Sequence, residues 1–157
     1  MNHLLTSKTA FALSVFAALG LAAAKCDTAP GKLLGGLMPL PAYLSAECGA
    51  DYAAMRQQQV KLAEGMGTIS TYELYWVAEK SLKTLEKDIK AGLKAKGYLD
   101  DMQPFKLAPL FGKQRADATF SKGQTTWRVM ISAADDSNAG FTGKAKQPYF
   151  LIAFKLK

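Results

Sequence analysis

Lysines recur along one segment of the chain at a spacing suited to binding a polyanion. Four of them follow at intervals of four, three and four residues: Lys83, Lys87, Lys90 and Lys94. At about 100° per residue, this spacing places all four in one narrow sector of an α-helix. Tyr72 and Trp76 fall in the same sector if the helix extends upstream. A basic row headed by two aromatic rings is a pattern that can hold nucleic acid, an acidic glycan or lipid headgroups.

The same residues have a plainer and commoner interpretation. Glu79 and Glu86 stand four residues before Lys83 and Lys90, which is the favoured orientation for ion pairs that stabilise a helix. The lysines would then form a solvated face, and the two aromatic rings would lie beneath neighbouring segments. The sequence leaves both interpretations open.

Two groups of carboxylates have residue types that bind cations or transfer protons, but neither has the required spacing. The run Asp-Asp-Ser-Asn at 135–138 offers oxygen ligands for calcium, yet it lacks the glycine and glutamate positions of an EF-hand. Such residues are typical of a polar turn. The adjacent aspartates at 100–101 seldom face one cleft, as a glycosidase pair must. The sequence therefore predicts no metal site and no cofactor.

Residues 1–24 have the organisation of a secretory signal peptide. Lys8 is the only charged residue, an apolar run from Ala10 to Ala24 follows, and Ala22 and Ala24 supply an A-x-A exit. The run is shorter than the roughly 20 apolar residues of a membrane span, and a buried N-terminal helix is the remaining alternative. Lys25, directly before Cys26, argues against lipid attachment. We expect cleavage after Ala24, with no transmembrane span in the mature chain.

Cleavage of this segment would change which reactive side chains the mature chain contains. The chain has one histidine, His3, which would be lost together with Lys8, so the net charge of +7 would fall by one. Without histidine, a Ser-His-Asp triad, a Cys-His dyad and a histidine-ligated zinc site are all excluded. The sequence also lacks a P-loop, a G-x-G-x-x-G dinucleotide motif and a G-x-S-x-G nucleophile motif.

Two cysteines, Cys26 and Cys48, are expected to form a disulfide in an oxidising compartment. The bridge would close a loop of about 22 residues and stabilise the fold by about 3 kcal/mol. It would fix both ends of an arm, residues 25–50, in which prolines and glycines interrupt every period. We expect this irregular arm to lay its leucines over the domain that follows.

The elements that must position these residues are predicted from hydrophobic spacing. A short helix is expected from Tyr52 to about Glu64, and a long one from the S-x-x-E capping box at 70–73 to Gly97. Three strands are expected at 116–120, 127–131 and 149–156, with a possible edge strand at 103–110. The predicted fold class is α+β: a long amphipathic helix packed on a three- to four-stranded antiparallel sheet, with the irregular N-terminal arm. Residues 51–157 would form this single domain.

The function expected from these features is that of a secreted or periplasmic, non-catalytic binding or accessory protein of the cell envelope. Its partner would be an anionic polymer or an envelope protein, and nucleic acid is not expected. One alternative is a small extracytoplasmic enzyme that uses a lysine or carboxylates. Its best candidates for catalytic side chains are Asp117, Asp135, Asp136 and Arg128. A further alternative is a subunit of an envelope assembly, whose arm or C-terminal strand completes a neighbour's sheet.

Overall fold

The computed structural model describes residues 26–101, 103–135 and 145–157. The predicted signal peptide and the polar residues 136–138 lie outside these ranges. The described elements, in chain order, are β1 (Lys32–Leu33), β2 (Met38–Pro39), β3 (Leu44–Ala46), α1 (Ala50–Ala63), β4 (Ile69–Val77), a 3-10 turn (Glu79–Ser81), α2 (Leu82–Ala95), β5 (Leu99–Asp100), β6 (Ala108–Leu110), β7 (Lys113–Lys122), β8 (Thr125–Ala133) and β9 (Tyr149–Leu156).

An antiparallel sheet of seven strands organises the fold. Its order is β3-β4-β9-β8-β7-β5, β6 pairs with β7, and β1 and β2 form a separate hairpin. The helices cover opposite faces. On one face α1 packs Tyr52 and Met55 against β4 and β9. On the other face, the leucines of α2 and the N-terminal arm pack against β4, β9, β8 and β7.

The predicted fold class is wrong, because the sheet has seven strands and the first part of the predicted long helix is one of them. Residues 69–77 form β4, and the α-helix begins only at Leu82. The sequence of β4, ISTYELYWV, is rich in β-branched and aromatic residues, which favour a strand. Both faces of β4 are buried from Tyr72 onward, so the alternation that marks a one-sided strand is missing. The hydroxyl of Ser70 does not cap a helix and donates to the carbonyl oxygen of Lys155 at 3.2 Å.

The sheet also has more strands than predicted, and its last strand is buried on both sides. The predicted hairpin is confirmed, since β7 and β8 pair from Ala116–Ile131 to Lys122–Thr125. However, the side chains of β9 divide between the two cores. Phe150, Ile152 and Phe154 pack with α1, whereas Leu151 and Ala153 pack on the α2 side. The three larger residues therefore lie on the face of the sheet opposite α2.

The N-terminal arm is more regular than expected but packs as expected. Cys26 and Cys48 form the predicted disulfide, with Cα atoms 5.3 Å apart. Leu33 and Leu34 are fully buried in the core under α2. The arm contributes β1, β2 and β3, so the description of it as irregular is wrong. Gly92 of α2 gives room to the arm, because a Cβ atom there would lie 2.8 Å from the Met38 sulfur.

The position of β9 bears on how the chain could assemble with others. It lies in the interior of the sheet, hydrogen-bonded to β4 on one side and to β8 on the other. This strand therefore has no free edge with which to complete a neighbour's sheet. Within the described ranges, no helix has the length and hydrophobicity needed to span a bilayer.

Candidate binding groove

The lysines of α2 line a groove with a volume of about 780 Å³. Its opposite wall comes from the segment between β5 and β6 and from the start of β7. The lining side chains are Glu79, Leu82, Lys83, Glu86, Lys87, Lys90, Ala91, Lys94, Lys106, Leu107 and Gln114. All four lysines of the predicted row thus border one concave surface. Lys106, from another element, brings a fifth ammonium group to it.

The apolar side of α2 fixes the orientation of the lysines. Leu82, Leu85, Ile89 and Leu93 recur at helical spacing and are buried in the core. Because these residues anchor the helix on the sheet, the basic sector must face away from the core. Leucine and alanine side chains of the lining, together with the aliphatic lysine stems, give the groove an apolar base.

The charges of the groove are mostly uncompensated. Of the two ion pairs expected along α2, the structure shows one, with Lys90 Nζ 3.5 Å from Glu86 Oε1. The other oxygen of Glu86 accepts the Leu107 N–H at 3.1 Å, which holds the opposite wall against the helix. Among the residues the structure describes, no ion pair is formed by the remaining basic side chains of the groove: Lys83, Lys87, Lys94 and Lys106. These four cations are available to an anionic ligand.

Tyr72 and Trp76 are not brought to the lysines. Both lie in β4, almost fully buried, and face α1 on the other side of the sheet. The Tyr72 ring packs edge-to-face on Tyr52, with ring centroids 5.4 Å apart. Its hydroxyl is buried without a hydrogen-bond partner among the described residues, and burial raises the pKa of Tyr72. Both aromatic residues are therefore part of the α1 core and do not line the groove.

A buried carboxylate beside the disulfide has no counterpart in the sequence analysis. Glu47 is 4% exposed and accepts hydrogen bonds from Trp76 Nε1 at 2.8 Å, the Gly49 N–H at 2.8 Å and Lys146 Nζ at 2.5 Å. Burial acts to raise the pKa of Glu47, but the three donors outweigh it and lower that pKa. Glu47 thus joins Lys146, far along the chain, to the end of the arm. Its place next to Cys48 was the only signal in the sequence.

Glu73 is a second buried carboxylate, which the sequence had assigned to a helix cap. It accepts the Leu34 N–H at 2.8 Å, the Gly35 N–H at 2.7 Å and the Tyr75 hydroxyl at 3.3 Å. Leu34 and Gly35 have φ angles of 56° and 62°, so their N–H groups converge on one anion. Burial raises the pKa of Glu73 against the effect of these donors. The side chain holds the β1–β2 hairpin on the sheet.

The side chains named for the enzyme alternative are largely paired with opposite charges. Arg128 donates to both oxygens of Asp117, at 3.0 and 2.7 Å. Asp135 accepts from Lys113 at 2.5 Å, and this partner lowers the pKa of the Asp135 carboxyl. Asp136 lies outside the described ranges. Within those ranges, no cluster of three or more cysteine, histidine or acidic side chains could hold a metal ion.

The α2 groove is thus the concave surface where sequence-predicted side chains gather. It combines five lysines from two elements with an apolar base. Comparison with family models, curated proteins and solved structures gives no match.

Proposed function

We propose that this chain is a non-catalytic binding protein that holds an extended anionic polymer along the α2 groove. The observation that carries the proposal is the presence of four unpaired lysines and one paired lysine around a single groove. Along the helix, Lys83 and Lys94 are separated by about 16 Å. That length suits several successive charges of a polymer better than one small anion.

Two features favour binding over a solvated face. First, Lys106 comes from a different element, so the charge is gathered by the tertiary structure and is not only a consequence of helical spacing. Second, Lys83 has no ion pair with Glu79, although the spacing allows one. A ligand with apolar groups beside its acids would also contact the aliphatic lysine stems and the leucines of the base.

We further propose that the protein works outside the cytoplasm. The Cys26–Cys48 disulfide is compatible with an oxidising compartment. The signal peptide expected at 1–24 would provide the route. A secreted or periplasmic accessory protein of the cell envelope, which meets acidic envelope polymers, fits both features.

Binding of fluorescently labelled polyglutamate, measured by anisotropy, tests the groove. We expect binding that weakens steadily as NaCl rises from about 50 mM to about 300 mM, because the bound cations are screened. The double variant Lys83→Glu, Lys87→Glu should lose at least about tenfold in affinity, since repulsion replaces attraction at two positions.

The control is Lys61→Glu, which reverses one exposed lysine on α1, across the sheet from the groove. It should keep the affinity of the unmodified protein within about twofold, because charges farther apart than the Debye length of about 10 Å are largely screened. Because the double variant changes the net charge twice as much as the control, a control loss of half the double variant's loss in binding free energy, or more, would show that only overall charge matters and would refute the groove. No binding at low salt would refute it as well.

A further inference from the structure

The hairpin between β6 and β7 presents an aromatic side chain to solvent. Leu110 pairs with Lys113, so the connecting turn has two residues, Phe111 and Gly112. The side chain of Phe111 is 95% exposed, and Leu110 beside it is 42% exposed. The Phe111 ring is almost free of contacts with the described parts of the molecule, whereas Leu110 is partly covered by them.

The turn itself would favour a different residue. Phe111 and Gly112 have φ angles of 51° and 76°, as in the type I′ turns that close two-residue hairpins. Asparagine, aspartate or glycine is usual at the first position, because other side chains are strained at positive φ. Phenylalanine at this place is unfavourable for the backbone and also exposes an aromatic ring. The fold gains nothing from it, so its use must lie outside the fold.

We propose that the β6–β7 hairpin is a membrane-surface anchor, whose Phe111 and Leu110 insert into the interfacial region of an anionic bilayer. Charge complementarity points to this occupant. The groove of unpaired lysines begins beside the hairpin, because its lining includes Gln114, which pairs with Pro109 next to Leu110. Lys106, just before β6, belongs to the same groove, whereas Lys113 is neutralised by Asp135 and adds no free charge. An apolar tip near a group of cations binds anionic membranes through two signals that are each weak alone.

The size of the tip favours a bilayer over a protein partner. A stable protein interface buries about 800 Å² on each side, which two neighbouring side chains cannot supply. A bilayer requires only a few apolar groups at the interface, together with lysines near the headgroups. The proposal rests on the proposed function in one respect, since the same lysines supply the attraction to anions.

Co-sedimentation with vesicles tests the anchor, using equal parts of phosphatidylglycerol and phosphatidylcholine, and phosphatidylcholine alone as the neutral comparison. We expect binding to the anionic vesicles only. Phe111→Asn should reduce that binding at least about tenfold, because the buried ring is lost. The same change should maintain or raise the melting temperature, because asparagine suits the turn. The loss of binding then cannot be due to unfolding.

The control variant is Leu99→Ser, which removes an exposed apolar side chain away from the tip. Leu99 lies on β5 with 70% of its surface exposed, and the variant should bind vesicles as the unmodified protein does.

A tryptophan at the tip reports insertion directly. Trp76 and Trp127 are buried, so in Phe111→Trp the introduced ring should be the indole most open to acrylamide quenching. Anionic vesicles should protect it and shift its emission to the blue. Continued quenching with vesicles present, or vesicle binding unchanged in Phe111→Asn, would overturn the anchor. Self-association that needs Phe111 in the absence of vesicles would also overturn it.

Phe111→Asn should leave polyglutamate binding unchanged. Lost polyglutamate binding with intact, Phe111-dependent vesicle binding would refute the groove and leave the anchor standing.

Discussion

At the scale of single residues, two buried glutamates show that burial and hydrogen-bond donors act on the pKa of a carboxyl group in opposite directions. Glu47 receives a hydrogen bond from the ammonium of Lys146, and its pKa is lowered. Glu73 receives hydrogen bonds only from neutral groups, and burial raises its pKa. Neither role could be predicted from the sequence. Glu73 was the last residue of an apparent capping box, and the two side chains that bind Glu47, Trp76 and Lys146, lie far away along the chain.

Glu73→Gln tests the raised pKa through the pH dependence of stability. A carboxyl whose pKa is raised on folding contributes stability that is present at low pH and is lost as the pH rises through the folded-state pKa. We expect the variant to be less stable by about 1–3 kcal/mol at low pH, because the Leu34 and Gly35 N–H groups bind different oxygens of Glu73, and in glutamine one of these is replaced by an NH2 group that cannot accept. The difference should narrow as the pH rises above 4.5, the ordinary pKa of the group.

Urea unfolding at a series of pH values measures this difference. The fluorescence of the buried Trp76 and Trp127 provides a convenient signal. A difference that widened with rising pH would mean that the folded state favours the charged carboxylate, and it would contradict a raised pKa for Glu73.

At the scale of elements, the sequence predicted most reliably the segments that bury only one face. The leucine spacing of α2 and the alternation in β7 and β8 were clear for this reason. β4 is buried on both faces from Tyr72 onward, so its pattern carries no period that separates strand from helix. β9 was predicted as a strand, but the division of its side chains between two cores was not. The lysines were found because they lie on a one-sided helix. Lys106 could not be assigned to the same groove, since only the tertiary structure brings it there.

Ala78→Pro distinguishes the observed arrangement from the predicted long helix. Ala78 links β4 to the 3-10 turn with φ −75° and ψ 144°, which proline can adopt. We therefore expect the free energy of unfolding to change by less than about 1 kcal/mol. Inside a continuous helix the same change would cost about 3 kcal/mol or more. Thermal unfolding followed by circular dichroism measures the effect, and a loss of the larger size would contradict the boundary between β4 and α2.

At the scale of the whole molecule, the arm, α2 and the sheet form one unit fastened at several points. The disulfide joins the two ends of the arm, and Glu73 holds its hairpin. The Tyr43 hydroxyl donates to Asp88 of α2 at 2.6 Å. The sequence predicted the disulfide and the burial of the arm, because cysteine pairing and apolar content are properties of composition. It did not predict that the arm adds strands, since those strands have only two or three residues each.

Replacement of both cysteines, Cys26→Ser with Cys48→Ser, should lower the free energy of unfolding by about 3 kcal/mol, because the unfolded chain regains the freedom of the opened loop. Urea denaturation, with and without a reducing agent, measures this. The reduced form of the unmodified protein should match the double variant, and the double variant should not respond to reductant. A stability unaffected by reduction would show that the other contacts alone fix the arm.

The interior place of β9 also has a kinetic consequence. Within the sheet, β4 and β8 do not pair with each other. β9 joins them, since it pairs with β4, for example Leu156 with Ile69, and with β8, for example Tyr149 with Ala133. Until β9 is inserted, the polypeptide holds two separate half-sheets, each with an open edge. The decisive contact with β4 connects segments far apart in sequence, and such contacts form slowly. The complete seven-stranded sheet therefore cannot form until β9 has paired with both half-sheets, so the last step of folding joins the two parts of the molecule.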